Sequence, residues 1–295
     1  MDNKTFSTQV KIELCEVKFN ETDAKAELAA MMLFGENAEN GQVLLKTDKA
    51  ETAARIQGLL RKAVNEEISI DILRGRKNYA VSISDETAQR VGVYFSDDGE
   101  IALDEDVYSE DTARRAFLRG AFVISGTISD PKKGYDCELL TYNENMAYLA
   151  AELLEEFGIK ANTVKRNNYY VTYLKDSNSV SDFLNIVGAH KLMMDFMVTQ
   201  IEKDFNNRAN RASICKAANL DKTIAASAQQ CKAILKLNKL TIWETLDKST
   251  RELAMLRLQY VDIPLSELGK RMTPQMSKSS VNRRMKKLID LAEEI

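Results

Sequence analysis

Apolar residues recur along this chain with two periods, and the periods alternate in a fixed order. Helical spacing marks 25–34, 50–64, 85–91, 112–124, 144–157 and 179–187. Short β-rich segments lie between them at 42–47, 67–73, 79–84, 136–141, 160–165 and 169–174. The order is helix, strand, helix, strand, strand, helix, and it occurs twice, over 23–91 and 111–189, at an offset of about ninety residues. Such units predict an α+β body over 21–200, with antiparallel sheets covered on one face by helices and two halves paired about a pseudo-twofold axis. A separate N-terminal helix falls within 1–20.

Beyond the repeats the strand period disappears. An apolar helical stretch at 191–198 runs into a connector, 201–223, rich in Asn and Arg, of which Arg208 and Arg211 are possible additional DNA contacts. Helices are expected at 222–237, 242–246 and 250–260, making 224–295 an all-α domain. Pro264 sets the start of a further helix. A Thr273-Pro274 break follows, and Ser277 is placed to cap the last helix. In that helix Val281, Met285, Leu288 and Ala292 share one side. Ser279, Asn282, Arg283 and Lys286 occupy the other, with Lys278, Arg284 and Lys287 on the flanks and Ser280 in the first turn. Residues 264–291 thus predict a helix-turn-helix. Its second helix would offer Lys278, Ser279, Ser280, Asn282, Arg283, Arg284, Lys286 and Lys287 to base edges and phosphates of double-stranded DNA.

Charge supports this division. Residues 202–295 hold 18 Lys and Arg against 11 Asp and Glu, whereas 1–201 hold 23 against 33. A cationic end on an acidic body suits docking on nucleic acid through one terminal domain. The four cysteines, Cys15, Cys137, Cys215 and Cys231, lack metal-ligand spacing, and His190 is the single histidine, so a Cys/His zinc site is not expected. They read as thiols of a reducing cytoplasm. No apolar leader opens the chain, and its longest apolar stretch, 28–34, is too short to span a bilayer. A soluble, cytoplasmic, nucleoid-associated protein is expected. No P-loop, dinucleotide fingerprint or nucleophile elbow occurs. His190 reads as a helix-end residue rather than a base. No cofactor, metal or small-molecule ligand is expected, and no enzymatic activity.

The helices leading the two repeats carry a resemblance. LAAMMLFGE at 28–36 and LRGAFVISG at 118–126 are similar to the LAGLIDADG helix of homing endonucleases, with Gly120 at the internal glycine and Gly126 at the last. Together with TFSTQVKIEL, FLRGAFVISGTISDP and SELGK…SKSSVNRRMKKL, the whole chain resembles the WhiA family of bacterial regulators. The resemblance implies a LAGLIDADG body kept without catalysis and a C-terminal domain similar to region 4 of sigma factors, which reads promoters. It also implies a regulator tied to cell division, chromosome segregation or sporulation, and a possible partner regulator or sigma factor.

A working nuclease of this class needs a carboxylate at the end of each motif helix, because hard cations such as Mg²⁺ require oxygen ligands. The motif frame puts these positions on Gly35 and Ser125, neither of which supplies one. Glu36, Asp130 and Asp136 are the nearest acids, but Asp130 precedes Pro131 and reads as a turn-former. A metal-dependent endonuclease with relocated ligands is therefore the second reading. A scaffold whose acidic body binds a partner protein is the third. Arg74, Arg76 and Lys77 in one hairpin, and Lys160, Lys165 and Arg166 in its counterpart, read as solvated loop charge.

Overall fold

The computed structural model describes residues 4–35, 38–39, 42–65, 71–73, 78–95 and 101–295; of 38–39, 42, 71–73 and 78 only the backbone is considered. Two compact units divide the chain, Met1–Lys203 and Asp204–Ile295. Unit 1 begins with α1 (Phe6–Cys15), started by Thr5, whose hydroxyl accepts from the Thr8 amide. The first copy follows as α2 (Glu21–Phe34), β1 (Ala38–Glu39), β2 (Gln42–Thr47), α3 (Ala50–Val64), β3 (Asp71–Leu73), β4 (Asn78–Ser84) and α4 (Asp85–Arg90). A hairpin of β5 (Val93–Phe95) and β6 (Ile101–Leu103) and a 3₁₀ turn, Glu105–Tyr108, lead to the second copy. It contains α5 (Asp111–Ser125), β7 (Thr127–Ile128), β8 (Cys137–Thr141), α6 (Glu144–Glu156), β9 (Asn162–Arg166), β10 (Tyr169–Leu174) and α7 (Ser177–Val187).

The copies build the same antiparallel sheet, in order β1-β2-β4-β3 and β7-β8-β10-β9. Register decides which side faces the core. Val43 pairs Ile83 and Leu45 pairs Val81, all buried, while Leu139 pairs Thr172 and Cys137 pairs Leu174. Helices α3 and α6 cover that side with Ile56, Leu59 and Leu60, and with Ala150, Leu153 and Leu154. Each helix entry has a local cause. Asn20 and Asp23 form a reciprocal capping box at α2, and Asn143 and Asp176 cap α6 and α7. Helix α7 ends at Gly188, whose φ of 98° suits a residue without a Cβ.

The centre of unit 1 is the contact of α2 with α5. A Cβ on Gly120 would lie 2.2 Å from the Glu27 carbonyl oxygen, so only glycine allows this backbone approach. The Glu27 carboxylate is fully buried there. Arg55 of α3 grips it bidentately, Nε to Oε1 at 2.8 Å and Nη2 to Oε2 at 2.7 Å. Arg119 of α5 donates to Oε2 at 2.9 Å. The guanidiniums also donate outward, Arg55 to the Cys15 and Val17 carbonyls and Arg119 to that of Val187. One carboxylate thus ties both copies to the ends of α1 and α7.

Several expectations change. Strands β1, β7, β5 and β6 are two or three residues long, below the length at which a period of two can be read. The connector, 201–223, is helical throughout, because it lies inside α8 (His190–Leu237), a helix of 48 residues. Its Asn and Arg residues sit on exposed helix rather than in a loop. His190 is the first residue of that helix. Unit 2 adds α9 (Ile242–Thr245), α10 (Lys248–Gln259), α11 (Leu265–Lys270) and α12 (Lys278–Glu293) to the C-terminal part of α8. Among the described residues, no helix is long and apolar enough to cross a membrane.

Replacing Glu27 by Gln would leave two buried guanidiniums without a counter-charge. Breaking a buried pair from one side costs about 3–5 kcal/mol, so urea denaturation of Glu27→Gln should show a loss of that order.

Candidate nucleic-acid interface

Helix α12 is built from its own sequence outward. The Ser277 hydroxyl accepts from the Ser280 amide at 3.2 Å, satisfying a free donor of the first turn. Val281, Met285, Leu288 and Ala292 are buried against Leu268 and Met272 around α11 and against Ile234, Leu237, Leu253 and Ala254 from α8 and α10. At the far end Lys236 Nζ donates to the Ala292 carbonyl at 2.7 Å. The turn between α11 and α12 is close-packed. A Cβ on Gly269 would stand 2.3 Å from the Met276 carbonyl oxygen and 3.1 Å from Val281 Cγ2. The Gly269 carbonyl itself accepts from the Met276 amide at 2.9 Å.

Burying that face leaves Lys278, Ser279, Asn282, Arg283, Lys286 and Lys287 exposed. Among the described residues, none of the four cations in this set is paired with a carboxylate. Such a surface has acceptors and donors for base edges and free positive charge for phosphates. Ser280 is half-buried at the cap.

Arg284 is different. Its guanidinium turns back onto α10, with Nη1 2.9 Å from Asp247 Oδ1 and 2.5 Å from Thr250 Oγ1. Asp247 is the N-cap of α10 and also accepts from the Thr250 amide at 2.9 Å and hydroxyl at 2.7 Å. Those bonds from Thr250, then Arg284, hold its carboxyl down at about 2. Arg284, expected on the DNA face, is therefore spent on fixing α12 against α10. Sequence reading also missed Arg257, which is 1% exposed. It donates to the Tyr260 and Ile263 carbonyls at 3.0 and 2.9 Å, bracing the loop that enters α11. The Asp-x-x-Thr spacing of Asp247 and Thr250 was readable as a cap, whereas nothing local distinguishes Arg257 from a surface arginine.

Arg208 and Arg211 are exposed on α8 and, among the described residues, have no carboxylate partner. In unit 1, Arg166 pairs with Glu138 at 3.0 Å and Lys165 lies over the Tyr170 ring at 5.1 Å. Lys160 is exposed. Arg74, Arg76, Lys77 and Glu36 lie outside the described residues.

The ends of the two motif helices are close in geometry. Gly35 and Gly126 both occupy the C-cap, donating to the Met31 and Phe122 carbonyls at 3.0 and 2.8 Å. Phe34 and Ser125 are the last residues of the two helices. Phe34 is buried against Phe117, and the Ser125 hydroxyl donates to the Ala121 carbonyl. None of Phe34, Gly35 and Ser125 supplies a carboxylate. Asp130 accepts from the Lys132 amide at 2.8 Å as a turn-former, and Asp136 accepts weakly from Ser129 at 3.4 Å. Among the described residues, no three His, Cys, Asp or Glu side chains gather as a metal site. The residues present do not fit the catalytic cation of this nuclease fold. Burial, meanwhile, pushes the Cys15 thiol up to about 11 and Cys137 higher still, away from thiolate chemistry.

Asp247→Asn keeps a capping oxygen but removes the charge. The carboxyl is held below its unfolded value, so its contribution is present above about pH 4 and fades as pH falls to about 2. Thermal melts should show Asp247→Asn less stable than the parent at neutral pH and equal to it near pH 2. Gly269→Val should destabilise unit 2 by about 1–3 kcal/mol, the usual cost of overpacking, in the same assay.

Comparison with known proteins follows this geometry. The family model described as WhiA LAGLIDADG-like domain matches residues 114–206, and that described as WhiA C-terminal HTH domain matches 209–292. Two proteins named "Probable cell division protein WhiA", from Ruminiclostridium cellulolyticum and Clostridium acetobutylicum, are each 34% identical, over 99% of this chain and 98% of the relative. Among solved structures, full-length DUF199/WhiA from Thermatoga maritima is similar with a TM-score of 0.59 at 22% identity, covering 99% of both chains. The N-terminal LAGLIDADG domain of DUF199/WhiA gives 0.52 at 19%, over 63% of this chain and 91% of that one. At these identities the two structures speak for the fold alone.

Proposed function

This chain belongs to the WhiA family, and on that premise we propose that it is a DNA-binding transcriptional regulator whose C-terminal helix-turn-helix reads promoter DNA. One observation carries the proposal: helix α12 buries one side in the core of unit 2 and leaves Lys278, Arg283, Lys286 and Lys287 exposed on the others, with no carboxylate partner among the described residues. Ser279 and Asn282 lie among them as base-edge readers. Arg208 and Arg211 add phosphate contacts from α8. The relatives' name supports a role in cell division, with chromosome segregation or sporulation as the wider context. A cytoplasmic, nucleoid-associated protein suits such a role, with a partner regulator or sigma factor.

In this reading the organisation is an acidic LAGLIDADG-like body over 21–200 and a DNA-reading part over 224–295, with 201–223 between them. The body is not a nuclease. That view is supported by Gly35 and Ser125 at the motif's metal positions, which offer no carboxylate. Supercoiled plasmid incubated with Mg²⁺ or Mn²⁺ should remain uncut; cleavage abolished by Asp130→Ala would restore the endonuclease reading.

Binding to genomic promoter fragments, followed as a function of salt, tests the DNA face. Each lost phosphate contact lowers the slope of log K against log salt by about 0.9. Arg283→Ala with Lys286→Ala should therefore weaken binding and flatten the slope by roughly two. Unchanged affinity and slope would remove α12 from the interface. Arg284→Ala should instead act through stability, measurable as a lower melting temperature in the absence of DNA.

A further inference from the structure

A cleft of about 630 Å³ opens in unit 1, beside the end of the short strand β7. Three segments wall it: the start of α1 from Lys4 to Gln9, the loop from Ile128 to Lys133, and the first turns of α8 at Leu192, Asp195 and Thr199. Its size falls within the range of small-molecule sites, roughly 300–1,000 Å³. The floor is apolar, from Phe6, Ile128 and Leu192, and the rim is polar.

The walls are held in place by bonds between the segments. Ser7 Oγ accepts from the Ile128 amide at 3.3 Å, and Gln9 Nε2 donates to the Lys4 carbonyl at 2.9 Å. Lys203 Nζ donates to the Pro131 carbonyl at 3.0 Å and lies 4.5 Å from the centre of the Tyr135 ring. Tyr135 in turn packs on Phe196, which meets Phe6. Lys203 is thus occupied in fixing the loop. Lys132 and Lys133 are not: both are exposed and, among the described residues, have no carboxylate partner. Lys4 has a single exposed ion pair, to Glu51 at 3.4 Å, of the kind that exchanges readily. The Asp130 carboxylate accepts from the Lys132 amide within the loop. Asp195 remains on the rim as an acceptor.

We propose that this cleft binds a small phosphorylated molecule, its phosphate held by Lys132 and Lys133 with Lys4 in support. Thr5, Ser129 and Thr199 supply hydroxyls around the anion, and the N-terminal end of α1 adds a favourable field for it. Asp195 selects ligands that also carry a hydroxyl or amino donor. A sugar phosphate or a nucleotide meets both demands, with its less polar part on Phe6 and Leu192. The body of this regulator would then carry an effector site of its own, chemically separate from the cations of α12.

Isothermal titration of the full chain with pyrophosphate and with ribose 5-phosphate tests the site. Saturable binding is expected at one site per chain. Lys132→Ala with Lys133→Ala should weaken it at least about tenfold, since hydrogen bonds to charged groups are the stronger kind, and should leave the melting temperature unchanged. Arg283→Ala with Lys286→Ala should leave it unaltered. Absence of saturable binding to either probe would overturn the proposal, as would loss in the α12 variant with retention in the loop variant. A loop variant that loses affinity for duplex DNA, in a protein that binds neither small phosphate, would reassign the cleft to the DNA backbone and equally overturn it.

Discussion

A carboxylate taken out of water is tolerated only when its charge and lone pairs are met. In unit 1 that requirement falls on Glu27, and meeting it organises the body. Arg55 comes from the second helix of the first copy and Arg119 from the leading helix of the second, 92 residues away in the chain. Each guanidinium then satisfies backbone carbonyls at the ends of α1 or α7. The same turn of α2 presents its carbonyl to Gly120, where no side chain fits. Charge pairing and backbone proximity therefore meet at one crossing, and the two sheets take their places from it.

Arginines do comparable work in unit 2. Arg257 holds the loop entering α11, and Arg284 joins α12 to the cap of α10. Two arginines that look like surface charge are thus committed to the scaffold. The cations left over, on the exposed sides of α12, are free because their helix has already been fixed by apolar contacts and by Arg284. A surface meant to meet phosphates benefits from this division, since side chains that must also hold the fold cannot release their partners without loss of stability. The body shows the opposite history. It keeps the close helix packing of a nuclease fold, but its two motif helices end on Phe34 and Ser125, a core aromatic and a back-bonded hydroxyl.

Much of this was legible in sequence because it depends on near neighbours. Helical and strand periods mark the duplication, the Ser277 cap and the 281, 285, 288, 292 stripe define α12, and the charge split singles out the cationic end. The length of α8 was not legible, since the Asn residues of 206–210 lower helix expectation through local alternatives that an extended exposed helix overrides. Strands of two residues carry no period. That Gly35 and Gly126 both serve as helix caps is likewise a fact of helix termination rather than of residue identity.

The sequence by itself determined the duplicated helix and strand order, the two faces of α12 and the absence of acids at the motif helix ends. Tertiary structure alone decided which charges are available. It buried Glu27, Arg55 and Arg119 together, committed Arg284 and Arg257 to the scaffold, and left Arg283, Lys286, Lys132 and Lys133 without a carboxylate partner among the described residues. The physical reason is that periodicity reports whether a residue faces a core or water, whereas a charge's partner is chosen by groups that folding brings from far along the chain.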